Sequence, residues 1–366
     1  MSPRIPKEFV EKYNKPGPRY TSYPTVPAWH QEFKAAQYRE ALEELGDRPD
    51  DELAIYLHLP FCAKHCHYCG CNAYVTKETD AVDRYLDRVE RELGMVTDLI
   101  GTDRKVVQVH WGGGTPNFLK NPQIERALNL IRGAFTVQDH AEVALEIDPR
   151  IGSPEQALFL KEAGFNRISL GVQDFDERTQ VAIGRKQSRE RTLQVYHGCR
   201  DAGFEGVNID LVYGLPGQTA ESFEKTLTEI IELAPDRVAC FSYAHVPWVR
   251  PEQNKVDTTV MLEGYDKFQL FQLTVDKFQA ADYSWIGIDH FAKKDDELSV
   301  ALANRALHRN FMGYATKPAP HMLAFGLSGI GDVCDRFVQN DPTLEGWSSG
   351  IDAGDLPVVK GHKLSE

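Results

Sequence analysis

From Leu53 onward the chain alternates short runs rich in β-branched and aromatic residues with stretches of helical periodicity, the pattern of a parallel sheet whose crossovers are helices. The runs fall at 53–59 (LAIYLHL), 106–110 (VVQVH), 143–147 (VALEI), 167–172 (RISLGV), 207–214 (VNIDLVYG) and 237–244 (RVACFSYA). After the first, Tyr85, Leu86, Val89, Leu93, Val96 and Leu99 recur at spacings that share one helical face. Asn121 and Pro122 predict a helix opening as cap and first-turn residue, as do Ser153 with Pro154, and Ser188 ahead of a segment closing near Gly203. TAESFEKTLTEIIEL forms the helix after the fifth run, and SWIGIDHFA (284–292) predicts one further edge strand. Right-handed βα units in series wind either into an open doubly wound sheet or toward a barrel. No repeat, coiled coil or low-complexity segment interrupts them, so the chain divides into an N-terminal arm over 1–50, one catalytic α/β domain over 51–335, and a C-terminal stretch over 336–366.

With 366 residues and 42% hydrophobic content the chain can bury a large core. The N-terminal stretch has no apolar signal-peptide core, and no run approaches the roughly 20 apolar residues of a membrane span; the expectation is a cytoplasmic protein without membrane attachment. A formal net charge of −13 and the lack of a long basic run argue against nucleic-acid binding. In a reducing compartment seven cysteines, an odd number, point to a metal or catalytic site before a disulfide framework.

Four of those cysteines, Cys62, Cys66, Cys69 and Cys71, stand in a C-x3-C-x2-C-x-C loop directly after the first strand, among His58, His65 and His67. Zinc sites usually present two cysteine pairs set well apart. Three thiolates on one short loop suit three corners of a four-iron four-sulfur cluster, which leaves one iron to another ligand. Zinc and iron-sulfur readings both stand at this level, with the spacing favouring the cluster. Gly112 to Gly114 end the second strand, where glycine lets backbone approach a ligand. Glu146, Gln173, Asp210, and Tyr243 with Ala244 lie at or near the ends of four further strands; any one alone reads as a loop residue, but together they fall on the rim where parallel α/β sheets bind ligands. Cys199, Cys240 and Cys334 read as core thiols.

The C-x3-C-x2-C loop, with Tyr68 before its third cysteine, resembles the signature of radical S-adenosylmethionine enzymes. The arm GPRYTSYPT (17–25), the CGCN loop, LEIDPR, SLGVQDF, NIDLVYGLP, YAHVP, GIDHFA and LHRNF extend the resemblance, over about residues 10–340, to the oxygen-independent coproporphyrinogen III oxidase family. That resemblance implies a curved partial (β/α)6 TIM-like barrel, a [4Fe-4S] cluster on Cys62, Cys66 and Cys69, and two molecules of S-adenosylmethionine. The first would be met by Tyr56, Gly113, Glu146 and Ile330; the second by Tyr68, Gly114, Thr115, Gln173, Arg185, Asp210 and Ala244. Arg185 could pair bidentately with a methionine carboxylate, and Arg19 in the arm is a candidate for the propionates of a tetracarboxylate substrate. The implied reaction turns two propionates of coproporphyrinogen III into vinyls, giving protoporphyrinogen IX, with a low-potential donor such as flavodoxin or ferredoxin supplying electrons to a monomeric enzyme.

Two features depart from the family pattern. Met312 stands after LHRNF where the family usually has Gln, and the family normally continues beyond this ending into a mostly helical C-terminal domain that covers the barrel mouth, of which 336–366 would be only the start. These departures keep open a related radical S-adenosylmethionine methylase or cyclopropane-forming enzyme. A haem-binding chaperone of the same fold is a third reading, against which the CGCN loop and the arm both argue.

Overall fold

The structure, a computed structural model, describes residues 5–15, 17, 22–78, 80–317 and 319–365. Its centre is a twelve-stranded sheet. In chain order the strands are β1 Leu53–Leu59, β2 Lys105–Gly113, β3 Thr136–Ile147, β4 Arg167–Gln173, β5 Gly206–Tyr213, β6 Arg237–Ser242, β7 Tyr283–Gly287, β8 His290–Lys293, β9 His321–Phe325, β10 Ile330–Val333, β11 Arg336–Asn340 and β12 Val358–Lys363. Their spatial order is β12-β11-β10-β9-β1-β2-β3-β4-β5-β6-β8-β7. The run from β9 to β6 is parallel throughout, and antiparallel strands extend it at both ends.

The period-2 geometry of a strand decides what each face carries. Leu53, Ile55, Leu57 and Leu59 of β1, Ile168, Leu170 and Val172 of β4, and Val207, Ile209 and Leu211 of β5 enter one continuous apolar core, whose other wall is helical. The alternate residues, Tyr56, His58, Ser169, Gly171, Asn208 and Asp210, therefore lie on the opposite face. The helix Ala81–Ile100 buries the expected stripe of Tyr85, Leu86, Val89, Leu93 and Val96, together with Glu92. Ser153 and Ser188 cap their helices as expected, each accepting a hydrogen bond from the third residue on.

Several boundaries move. The helix expected to be capped by Asn121 has Lys120 as its cap, with Asn121 and Pro122 both inside the first turn. β6 ends at Ser242, so Tyr243 and Ala244 follow the strand. The single edge strand expected over 284–292 is the hairpin of β7 and β8, because the chain reverses at Ile288, in left-handed conformation, and Asp289. The seventh parallel strand, β9, lies on the far side of β1 and was not expected: HMLAF is fully buried, and its four apolar residues after His321 form a run that periodicity cannot tell from a helix fragment. Residues 336–363 add β11, β12 and the helix Leu344–Asp352 to the same sheet and core. Among the described residues no helix is long and apolar enough to cross a membrane.

Candidate active site

The cysteine loop leaves β1 and is held by backbone contacts from four separate parts of the fold. His67 N–H donates to Ile183 O at 2.8 Å; Gln253 Nε2 donates to Tyr68 O at 2.8 Å and Arg250 Nε to Gly70 O at 2.9 Å. Asn72 Nδ2 reaches Pro342 O at 2.6 Å. His58 Nε2 donates to Asn72 O at 2.8 Å, which leaves Nδ1 to accept from Tyr56 Oη at 3.1 Å. Burial pushes the His58 imidazole down to about 4, so it is neutral near pH 7 and this tautomer is fixed by its partners.

Glycines let the second strand close over this loop. A Cβ on Gly113 would stand 2.6 Å from the His58 ring, and the residue has φ +112°. A Cβ on Gly114 would meet Pro60 O at 2.5 Å, since Gly114 N–H donates to Leu59 O. Gly112 lies beneath the Glu146 carboxylate. Glu146 sits 3.4 Å from His110 Nε2, and the His110 ring stacks on Tyr56 at 6.1 Å, so Tyr56, His58, His110 and Glu146 form one polar row across β1, β2 and β3.

Behind the thiols the expected Arg185 meets two residues that the sequence did not single out, Asp148 and Arg150. Arg185 is 6% exposed. Its five N–H donors all have protein acceptors: Gln187 from Nε, Asp148 and Gly171 O from Nη2, and Asp148 and Cys66 Sγ from Nη1. The bidentate pairing with a ligand carboxylate expected of Arg185 thus finds its donors committed within the protein. Arg150 bonds the same Asp148 and also reaches Cys66 Sγ at 3.5 Å. Burial alone would raise the Asp148 carboxyl and lower Arg185, but the opposing charges prevail and hold Asp148 below and Arg185 above their ordinary values. Asp148 and Arg150 belong to LEIDPR, directly past the end of β3, and that position was the available signal.

The remaining site residues are distributed as follows. Cys62 Sγ lies 3.1 Å from Thr115 Oγ1. A hydrogen bond with Cys71 draws the Cys69 thiol down and pushes Cys71 up, while burial raises Cys62 to about 11. Tyr68 packs against the apolar cluster of Ile183, Val212, Leu215 and Tyr243. Gln173 takes φ +72° and leans over Gly171 beside Arg185. Asp210 accepts from Ser169 Oγ at 2.9 Å and Asn208 Nδ2 at 2.7 Å, and burial first, then Glu146, raises it to about 6. Ile330 opens β10 on the same rim, and Ala244 is exposed just past β6. Arg19 lies outside the described residues. In the segment that departs from the family, Phe311 packs on Trp29 of the arm and Met312 N–H donates to Asn310.

Among the described residues no three His, Cys, Asp or Glu side chains converge as ligands for a single metal ion. The donor set does fit a multi-iron cluster: three thiols on one loop, Cys66 already receiving two guanidinium N–H groups, and a glycine cradle beside it that any Cβ would fill.

Residues 56–230 match the model of the Radical SAM superfamily. The likeness runs much further. The chain is 41% identical over 359 residues to the oxygen-independent coproporphyrinogen III oxidase of Synechocystis sp., covering 98% of this chain and 77% of that protein. It belongs to the oxygen-independent coproporphyrinogen III oxidase family. The coproporphyrinogen III oxidase of this family from Salmonella typhimurium is also 41% identical, with the same shares covered. The solved structure of coproporphyrinogen III oxidase from Escherichia coli, described as a radical SAM enzyme, superposes with a TM-score of 0.90 at 38% identity, covering 95% of this chain and 79% of that one. The α/β radical SAM fold is thus shared across the family, and family membership makes the chain a radical SAM enzyme, with the [4Fe-4S] cluster and S-adenosylmethionine as its cofactors.

Proposed function

We propose that this family member carries out oxidative decarboxylation of two propionates of coproporphyrinogen III, giving the two vinyl groups of protoporphyrinogen IX. The observation that carries the reading is the extent of the match: identity to the family continues through the arm and past Ile330, well outside the superfamily segment at 56–230. When bound, the reduced cluster and S-adenosylmethionine supply a 5'-deoxyadenosyl radical able to remove a β-hydrogen from a propionate.

In this reading Cys62, Cys66 and Cys69 hold three irons, and Arg185 and Arg150 neutralise charge at Cys66. Tyr56, Gly113, Glu146 and Ile330 seat the first S-adenosylmethionine; Glu146, a carboxylate beside His110, suits an ammonium or ribose hydroxyls. Tyr68, Gly114, Thr115, Gln173, Arg185, Asp210 and Ala244 surround a second, for which Asp210 offers an acceptor. Arg19 meets a substrate propionate. The enzyme is cytoplasmic and monomeric, and a low-potential donor such as flavodoxin or ferredoxin reduces it.

The test is anaerobic reconstitution followed by iron, sulfide and zinc analysis, then incubation of the reduced protein with coproporphyrinogen III and S-adenosylmethionine. The expected products are protoporphyrinogen IX, a tricarboxylic intermediate, methionine and 5'-deoxyadenosine. Zinc without iron, or methylated or cyclised product with the porphyrinogen untouched, would sink the reading.

A further inference from the structure

At the β12 end of the sheet, Gln31, Lys34, Gln339, Pro342, Val359 and Lys360 line an open cleft of about 360 Å³. It lies on the rim that carries the cysteine loop, because Pro342 O is the acceptor for Asn72 Nδ2, three residues past Cys69. Register fixes its place more closely. Ile330 pairs with Gln339 and Gln339 with Lys360, so the three stand side by side on successive strands. At about 4.8 Å per strand, Lys360 is about 10 Å from Ile330 across the sheet.

The chemistry of this cleft is unlike the rest of an acidic chain. The ion pairs nearby are Arg39 with Asp355 and Arg336 with Glu44, and among the described residues neither Lys34 nor Lys360 is paired with a carboxylate. Lys34 Nζ donates to Val359 O at 2.9 Å, which leaves two N–H groups. Gln339 Oε1 is buried without a hydrogen-bond partner, and so is Nδ1 of His362, which shares the sheet face of Lys360 two residues on. Buried polar atoms without partners are uncommon and costly, and a polar ligand offsets that cost. The Gln339 carboxamide can turn to present its NH2 group to an anion.

We propose that Lys34 and Lys360, with Gln339, form a carboxylate-binding subsite that holds non-reacting propionates of the tetracarboxylate substrate. The inference rests on the proposed function and extends it to residues outside the cofactor set. A tetrapyrrole whose reacting arm lies beside Ile330 carries its distal carboxylates roughly a ring's width away, the distance at which this lysine pair stands. The cleft accommodates side arms and not the ring, and its cations offset the repulsion between a tetra-anion and a chain of net charge −13.

The test is titration of the whole protein with coproporphyrin III, the stable four-carboxylate ring, followed by absorbance and protein fluorescence, alongside steady-state kinetics with the porphyrinogen. K34A and K360A are each expected to weaken binding about tenfold, as for a lost charged hydrogen bond. The double variant should lose more, K360R should retain most of the affinity, and protoporphyrin IX, which keeps the two non-reacting propionates, should be weakened as much as the four-carboxylate ring. KM should rise by more than kcat falls. A double variant that keeps the parent melting temperature and binds coproporphyrin III within twofold of the parent overturns the subsite alone. Failure of the unaltered, reconstituted protein to bind or turn over the tetracarboxylate overturns the functional reading instead, and the subsite with it.

Discussion

Arg185 and Asp148 form an ion pair at 3.2 Å, with side chains 7% and 8% exposed, directly behind the Cys66 thiol. Such a pair is expensive to break from one side, because the survivor is left as an uncompensated buried charge. Asp148→Ala strands two guanidinium groups and is expected to cost roughly 3–5 kcal/mol by urea denaturation. Arg185→Lys keeps the charge but cannot reach five acceptors in one plane. It should fold, with reduced iron uptake on reconstitution. Parent-like iron content in Arg185→Lys together with parent-like stability in Asp148→Ala would contradict the assignment of this pair as the support of Cys66.

Glycine substitutions separate site geometry from general stability. At Gly113 a methyl group would stand 2.6 Å from the His58 ring in a backbone conformation that disfavours side chains. Gly113→Ala therefore displaces His58 and its bond to Asn72 O, and S-adenosylmethionine binding measured by calorimetry should fall at least tenfold, by analogy with a lost buried hydrogen bond. Gly94 is the control: it lies inside the helix Ala81–Ile100, and a Cβ there meets nothing within 4 Å. Gly94→Ala should raise stability by about 0.5–1 kcal/mol with the cofactor affinity of the parent.

Asp210 predicts a pH dependence. Its carboxyl is raised to about 6 by burial and by Glu146, so the proton held in acid leaves as pH rises through that value. The proposed role, accepting hydrogen bonds from ligand hydroxyls, is best served by the ionised form. S-adenosylmethionine affinity is expected to increase with pH, with a midpoint near 6, and Asp210→Asn should flatten that rise. An unchanged inflection in the variant would assign the titration to another group.

Much of this site could be read in the sequence because its determinants are local. Cys62, Cys66 and Cys69 declare themselves by spacing, and Glu146, Gln173 and Asp210 by standing near the ends of short runs whose β-branched and aromatic content marks them as strands. The support behind them could not be read in the same way. Cys66 and Arg185 are 119 residues apart, and nothing local to Arg185 shows that its donors converge on Asp148, Gly171 and Gln187. β9 escaped because four consecutive buried apolar residues, Met322 to Phe325, carry no period, and β11 and β12 because their place depends on pairing with a strand already hidden. The cleft at Lys34 and Lys360 joins residues from opposite ends of the chain through the contact between His30 and Gly361.

Glu92 shows the same limit and gives a sharp test. It falls three residues after Val89 on the buried stripe of its helix, yet alone it reads as a solvated helical charge. In the fold it is 2% exposed and accepts from Gly326 N–H at 2.8 Å, Asn340 Nδ2 at 2.6 Å and Trp347 Nε1 at 3.3 Å, tying the turn after β9, β11 and the helix Leu344–Asp352 to the helix beside β1. Burial outweighs these donors and raises its carboxyl from 4.5 to about 7. The sign follows from linkage: above 4.5 the unfolded chain releases this proton while the folded chain keeps it, so stability falls as pH climbs from 4.5 toward 7 and levels off above. Glu92→Gln cannot titrate and should flatten that slope, while its NH2 faces at least one of the three donors and lowers stability by about 1–3 kcal/mol. Glu92→Ala removes all three bonds, and hydrogen exchange in β11 and the helix Leu344–Asp352 should accelerate ahead of β1 to β6. A pH slope of unfolding in Glu92→Gln equal to that of the parent would remove Glu92 as its source.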